Sequence, residues 1–228
     1  MMHRQTGFTL IEIAIVLVII GLLLGGVLKG QELITSARVR NLISQQDGVK
    51  AAFFGFQDRF RAYPGDYAGA DQNIPNIGTA CGVNGNGNGN GRIEAGDEAI
   101  LSWEHLSKAG FITGTYTCST TETNTTTPKN PYNIFLQLVY DDVYGGAVAQ
   151  PRHNVKTGSQ IPVELLAEMD RKIDDGLPNT GGFRFSAYAG QGTAPEAGST
   201  TACTDATTAT GVWNGTNGNT NCGAASLL

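Results

Sequence analysis

"GFTLIEIAIVLVIIGLLLGG", residues 7–26, is almost wholly apolar and carries one carboxylate, Glu12. From Phe8 to Leu28 there are 21 residues with Glu12 as the only charge, enough at ~1.5 Å per residue to cross a hydrocarbon core of about 30 Å. A secretory signal peptide does not fit: the apolar region is too long, and Leu24 in "LLLGGVLKG" stands where a small residue is wanted. Arg4 precedes the segment and keeps the leader "MMHRQTG" on the cytoplasmic side, which sends the rest of the chain outward. An acid in such a span costs roughly 2.5–3.5 kcal/mol on insertion scales, so Glu12 needs a partner.

"GFTLIEIAIVLVIIGLL" resembles the cleavage and methylation segment of type IV prepilins and pseudopilins. The resemblance implies that a prepilin peptidase cuts after Gly7 and methylates the new amino terminus at Phe8. It also maps the family's glutamate, at the fifth position of the mature chain, onto Glu12. In a helical filament the Phe8 ammonium of an incoming subunit then meets Glu12 of a neighbour, and two charges that are costly alone become a desolvated pair. Pilins commonly carry a proline in the helix just past the apolar stretch. This chain has Lys29 there and no proline before Pro64, although Gly21, Gly25 and Gly26 loosen the helix, each by up to about 1 kcal/mol relative to Ala.

Beyond Lys29 an apolar stripe continues on a polar background: Ile34, Val39, Leu42, Ile43, Val49, Phe53, Phe56 and Phe60 recur at helical spacing. The helix is expected to run to about Tyr63 and stop at "YPGD", because Pro64 disfavours helix at the residue before it. This divides the chain into a leader at 1–7, a transmembrane or filament-core helix at 8–28, an amphipathic second half of the spine at 29–63 and a head at 64–228.

In the head, "DEAILSWEHLSKAG" reads as a short helix with Asp97 as N-cap, Ile100, Trp103 and Leu106 on one face and Gly110 as the stop. "NIFLQLVY" (133–140) and "GFRFSAYA" (182–189) read as strands, and "IPVELLAEMDRKID" as a helix opened by Pro162. The fold class expected is α+β: a long helical spine bearing a head with a small antiparallel sheet and short helices. "YPGDYAGA", "GNGNGNGRIEAGDEAILSWEHLSKAGFITG" and "MDRKIDDGLPNTGGFR" are similar to a pattern of large-headed prepilin-type proteins, a resemblance that names no reaction.

The 228 residues carry a net charge of −5 with scattered basic residues, which argues against nucleic acid, whose phosphates need clustered Lys and Arg. Cys81, Cys118, Cys203 and Cys222 have no CxxC spacing, so a zinc site is not indicated and three pairings are open. Cys81–Cys118 and Cys203–Cys222 are expected, because each closes a Gly/Asn/Thr-rich loop locally. Closing a loop of about 20 residues is worth roughly 3 kcal/mol, and such bonds imply an oxidising compartment.

Enzyme chemistry finds little support. His3 lies in the leader, and His105 and His153 stand in no metal or triad spacing; His105 reads as a surface or half-buried residue. Asp141–Asp142 and Asp174–Asp175 read as solvated turn acids, since glycines follow them. "NGNGNGRIEAGD" (86–97) is more informative. It places Asn86, Asn88 and Asn90 at positions 1, 3 and 5 of an EF-hand-like loop, Gly91 at 6, the Arg92 carbonyl at 7, Glu94 at 9 and Asp97 at 12. Three neutral amides and a short acid at position 12 imply weak structural Ca²⁺ binding, with a dissociation constant on the order of 10⁻⁴–10⁻³ M. Asp66 or Glu98 is placed to supply a further carboxylate if the loop folds back; the competing reading is an Asn-Gly loop with no ion.

The function expected is a structural subunit of a type IV pilus-like or type II secretion filament. Its partners would be further copies of the chain, the prepilin peptidase, an inner-membrane assembly platform and, before assembly, membrane lipid. The alternative is a minor tip subunit acting as an adhesin or binding module. The location implied is the bacterial inner membrane with a periplasmic head, then a periplasmic or surface filament. Asn124 and Asn214 lie in N-x-[ST] sequons, a pattern with many false positives.

Overall fold

The computed structural model describes residues 10–146, 149–199, 201–205 and 211–228. Gly7 and Phe8 lie outside the described residues. The first helix, α1, covers Leu10–Phe60. The chain divides into two units, Met1–Arg38 and Val39–Leu228.

In the first unit the described residues are helical and their apolar side chains face outward: Leu10 is 93% exposed and Leu28 is 67% exposed. Ile34, expected to begin the packed stripe, is exposed as well. An apolar surface of this kind on a monomer marks a site for lipid or protein contact. Among the described residues α1 is the one helix long and apolar enough to cross a membrane.

The second unit is an α+β head built on the last part of α1. Val39, Leu42, Gln46, Val49, Ala52, Phe53 and Phe56 are buried, following the helical period. The helix ends at Phe60, a few residues before the expected stop, because Arg61 takes a left-handed φ of 54° and turns the chain into "YPGD".

Four more helices and strands expected from the sequence are present, each shorter than expected and β1 ending one residue past the expected stop. They are α3 (Asp97–Lys108), α4 (Val163–Ile173), β1 (Gln137–Asp141) and β3 (Phe183–Phe185). The one-turn helix α2 (Ala70–Asn73), β2 (Arg152–Lys156), the β4/β5 pair (Thr204–Asp205 and Val212–Trp213) and β6 (Ala224–Leu227) gave too little periodicity to be read. The main sheet is antiparallel with order β1-β2-β6-β3, and the β2–β6 register places Asn154 opposite Leu227. The last strand therefore lies in the middle of the sheet, its N–H and C=O groups paired on both sides.

Among the described residues two large cores form around this frame, with a small third cluster of Ile100 and Leu101 on Cys81 and Cys118. Val39 and Leu42 of α1 pack with Leu166 and Met169 of α4, Phe183 and Trp213. Phe53 and Phe56 pack with Ile93, Trp103, Leu106, Leu138 and Val155. Disulfides join Cys81 to Cys118 and Cys203 to Cys222, spanning 37 and 19 residues of sequence.

Candidate functional site

The loop of alternating Asn and Gly is folded back, and two carboxylates hold it. Asp66, from "YPGD", accepts the backbone N–H of Asn90 at 2.9 Å and of Gly91 at 2.8 Å. Glu98, in the first turn of α3, accepts the N–H of Asn88 through one oxygen and of Glu94 through the other, both at 3.0 Å. Asp66 and Glu98 are 3% and 9% exposed. Burial raises the pKa of both, and the negative charge of Glu94 pushes each in the same direction while the backbone N–H groups oppose.

The asparagines fill the loop between these acids. Asn88 Oδ1 accepts the N–H of Asn90, and Asn90 Oδ1 accepts that of Arg92, both at 2.9 Å. The Asn90 amide donates to Glu94 at 2.9 Å, while Asn86 Oδ1 accepts the N–H of Asp71. Arg92 directs its guanidinium away, over the ring of Tyr140. Asp97, read as the N-cap and the twelfth loop position, is instead the first helical residue of α3 and is exposed. Gly96, at φ 100°, takes the capping position without a side-chain hydrogen bond. The acid that faces the loop is its neighbour Glu98, because one residue along a helix turns a side chain by about 100°.

Gly85 and Gly87, between the asparagines, are a packing requirement. A Cβ at Gly87 would stand 2.1 Å from the Gly65 carbonyl oxygen and 2.4 Å from Asp66 Cα. At Gly85 it would meet Ile77 Cγ2 at 2.0 Å. Backbone therefore lies directly on backbone, and Gly87 N–H donates to Tyr67 O while Gly89 N–H donates to Asp66 O.

His105 corrects the sequence reading: it is fully buried. Its Nδ1 accepts the N–H of Gly65 at 3.0 Å, and Nε2 lies 2.9 Å from Gly85 O. The first bond requires an unprotonated Nδ1, so the ring proton sits on Nε2 and is donated to Gly85. Burial lowers the pKa of this histidine to about 4, against the pull of the Gly85 carbonyl and the charge of Glu104. Glu104, 1% exposed, accepts the N–H of Gly78 and of Cys118, both at 2.7 Å, which holds the loop closed by the first disulfide. Both faces of α3 are thus buried: an apolar face on the core, and Glu98, Glu104 and His105 under Gly-rich backbone.

Three of the four acids in the two pairs, Asp141, Asp174 and Asp175, accept structural bonds, while Asp142 is exposed. Asp141 accepts from buried Lys156, and from the Asn154 amide at 2.9 Å. Asp174 accepts the N–H of Phe183 at 2.7 Å, and Asp175 that of Leu177 at 2.9 Å. With Asp170 they form a group of carboxylates within 4.8 Å of one another. Asp170 receives the Trp213 indole N–H at 2.7 Å, and burial raises its pKa to about 6. Of the sequons, Asn214 uses its amide to donate to Ser199 O and Ala202 O, both at 2.9 Å, whereas Asn124 is exposed.

At the other end, Glu12 lies in the first turn of α1, among exposed apolar side chains. Residues 2–28 match the family model of the prokaryotic N-terminal methylation motif. No curated protein and no solved structure matches the chain.

Proposed function

Proceeding from an amino-terminal segment of the type IV prepilin and pseudopilin kind, we propose that this chain is a structural subunit of a type IV pilus-like or type II secretion filament. The observation that carries the reading is the coincidence of the methylation motif with an exposed apolar helix whose first turn holds Glu12. Prepilin peptidase cuts after Gly7 and methylates Phe8, the helix rests in the inner membrane with the head periplasmic, and an assembly platform extracts it into the filament. Glu12 receives the Phe8 ammonium of a neighbouring copy, which sets the register between subunits. The disulfides support a head that folds on the oxidising side.

The reading is tested on surface or periplasmic filaments by mass spectrometry and imaging. Mature chains should begin at N-methylated Phe8, and Gly7→Val should retain the leader and block assembly. An intact Met1 terminus in filaments would overturn it. A tip subunit differs by abundance: a major subunit dominates the sheared protein, whereas a tip adhesin is nearly absent from it.

The head reading keeps calcium as its ion. Asn86, Asn88, Asn90, the Arg92 carbonyl and Glu94 offer hard oxygens, and each amide oxygen retains a second lone pair after accepting one N–H. What favours a cation is the convergence of Asp66, Glu94 and Glu98. The charge of Glu94 raises the pKa of Asp66 and of Glu98, Asp66 adds to the rise at Glu98, and among the described residues no ion pair involves the three acids. Glu98 takes the place first given to Asp97.

A further inference from the structure

Phe54 is 49% exposed and is the only exposed aromatic side chain among the described residues. Its ring stands edge-on to Phe53, 5.3 Å away at 85°, so the buried neighbour props it outward. On the other flank of the same helix is a groove of about 420 Å³ whose lining includes Gly48, Trp103, Phe111, Ile112, Leu136 and Lys129. Gln45, also in its wall, precedes Phe54 by nine residues, and at about 100° per residue that is half a turn round the helix. The head thus carries an apolar knob and an apolar hole on opposite sides of one rigid element.

Resting on the filament reading above, we propose that Phe54 of one copy seats in this groove of the next copy. A knob and a hole on different surfaces make a heterologous contact, which repeats head to tail instead of closing as a twofold dimer; unless the rotation closes a ring, the product is an open helix. Charge points to the same occupant. Lys129 is the one charged residue in the groove's lining. Asp58, one turn after Phe54, forms a 3.5 Å surface pair with Arg61, with both side chains 82% exposed. Docking Phe54 brings Asp58 towards the Lys129 rim, and the weak surface pair offers little resistance.

Two substitutions separate docking from folding. Phe54→Ala removes the knob from an exposed position. Gly48→Leu fills the lip of the hole, and a Cβ at Gly48 meets nothing within 4 Å, so the head accommodates it. Each should lower filament yield roughly tenfold or more while leaving the melting temperature of the full-length protein in detergent unchanged or raised. Benzoylphenylalanine at position 54 of the full chain, irradiated in cells, should cross-link to a second copy at peptides containing Gly48, Ile112 or Lys129. The cross-link is read in isolated membranes as well as in filaments. Filaments with normal yield from both variants and no such cross-link would overturn the docking proposal and leave the filament reading standing. The cross-link in membranes of cells that make no filament of this chain would overturn the filament reading and retain the contact; absence of both would overturn both.

Discussion

Nδ1 of His105 accepts the backbone N–H of Gly65 at 3.0 Å, tying α3 to a turn 40 residues earlier in the chain. Through its other nitrogen the same ring holds Gly85, so one buried imidazole joins the "YPGD" turn to the Asn-Gly loop. The bond depends on a neutral ring, and its loss leaves two backbone groups without a partner.

His105→Ala is expected to destabilise the head by about 2–4 kcal/mol, from the cavity and the two orphaned groups together. The pH dependence has a definite sign. The folded pKa near 4 lies below the ordinary histidine value, so the folded head binds fewer protons there than the unfolded chain. The stability is present above about pH 6.5 and is lost as pH falls towards 4, by up to about 3 kcal/mol. His153, lowered to about 4 by burial beside Tyr63, acts in the same window. Denaturant midpoints at pH 7 and pH 4.5, compared between wild type and His105→Gln, measure the contribution. Equal pH slopes in the two proteins would contradict it.

Asp170 works in the opposite direction. Its folded pKa near 6 is above the unfolded value, so the stability it contributes is full below about pH 4 and is lost as pH rises through 6. Asp170→Asn should therefore flatten the stability profile between pH 4 and 6, at some cost in the Trp213 and Gly176 bonds. Trp213 fluorescence during urea unfolding reports it directly.

Gly87→Ala is expected to cost at least about 2 kcal/mol, since a Cβ there collides with backbone that cannot swing aside. Gly91→Ala meets no atom within 4 Å and suffers only from its φ of 83°, which costs about 1–2 kcal/mol. Thermal melts of the two variants should rank Gly87→Ala as the more damaging. The reverse order would show that the loop is held by conformation and not by contact.

About 5 mM Ca²⁺, ten times a dissociation constant in the upper 10⁻⁴ M range, should stabilise the head by roughly 1.4 kcal/mol. Glu98→Gln should abolish the increment, and Asp97→Ala, which alters an exposed side chain, should keep most of it. A melting temperature indifferent to Ca²⁺ in the wild-type protein would reject the site.

Replacing Cys81 and Cys118 together by Ser is expected to lower stability by about 2–4 kcal/mol. Glu104 should hold the loop partly in place through its bonds to Gly78 and Cys118. Adding Glu104→Gln to the double variant should cost more than it does in the disulfide-bonded protein. Additive losses would show that the two devices act independently.

What the sequence determined by itself is the part of the chain governed by local rules. A run of apolar residues with a single acid dictates a membrane-length helix whatever follows it, and the methylation motif at residues 2–28 is legible because it is contiguous. The spine, α3, α4, β1 and β3 were visible for the same reason, since period and punctuation act over a few residues. Both disulfide pairs followed from loops that close locally.

Only the tertiary structure decided the far face of α3. His105 read as a surface or half-buried residue and Glu104 carried no signal, because hydrophobic patterning registers which side chains avoid water and is silent on backbone that needs acceptors. A Gly-rich loop has exposed N–H groups and no side chains to cover them, so it is buried only where another element supplies carboxylates and an imidazole at the right places. Asp66 and Glu98 could be named from the sequence as carboxylates near a folded-back loop, but the His105 acceptor lies 40 residues from Gly65, and no local pattern announces it or Glu104. The same holds for β6, four residues at the end of the chain that occupy the middle of the sheet through long-range pairing alone.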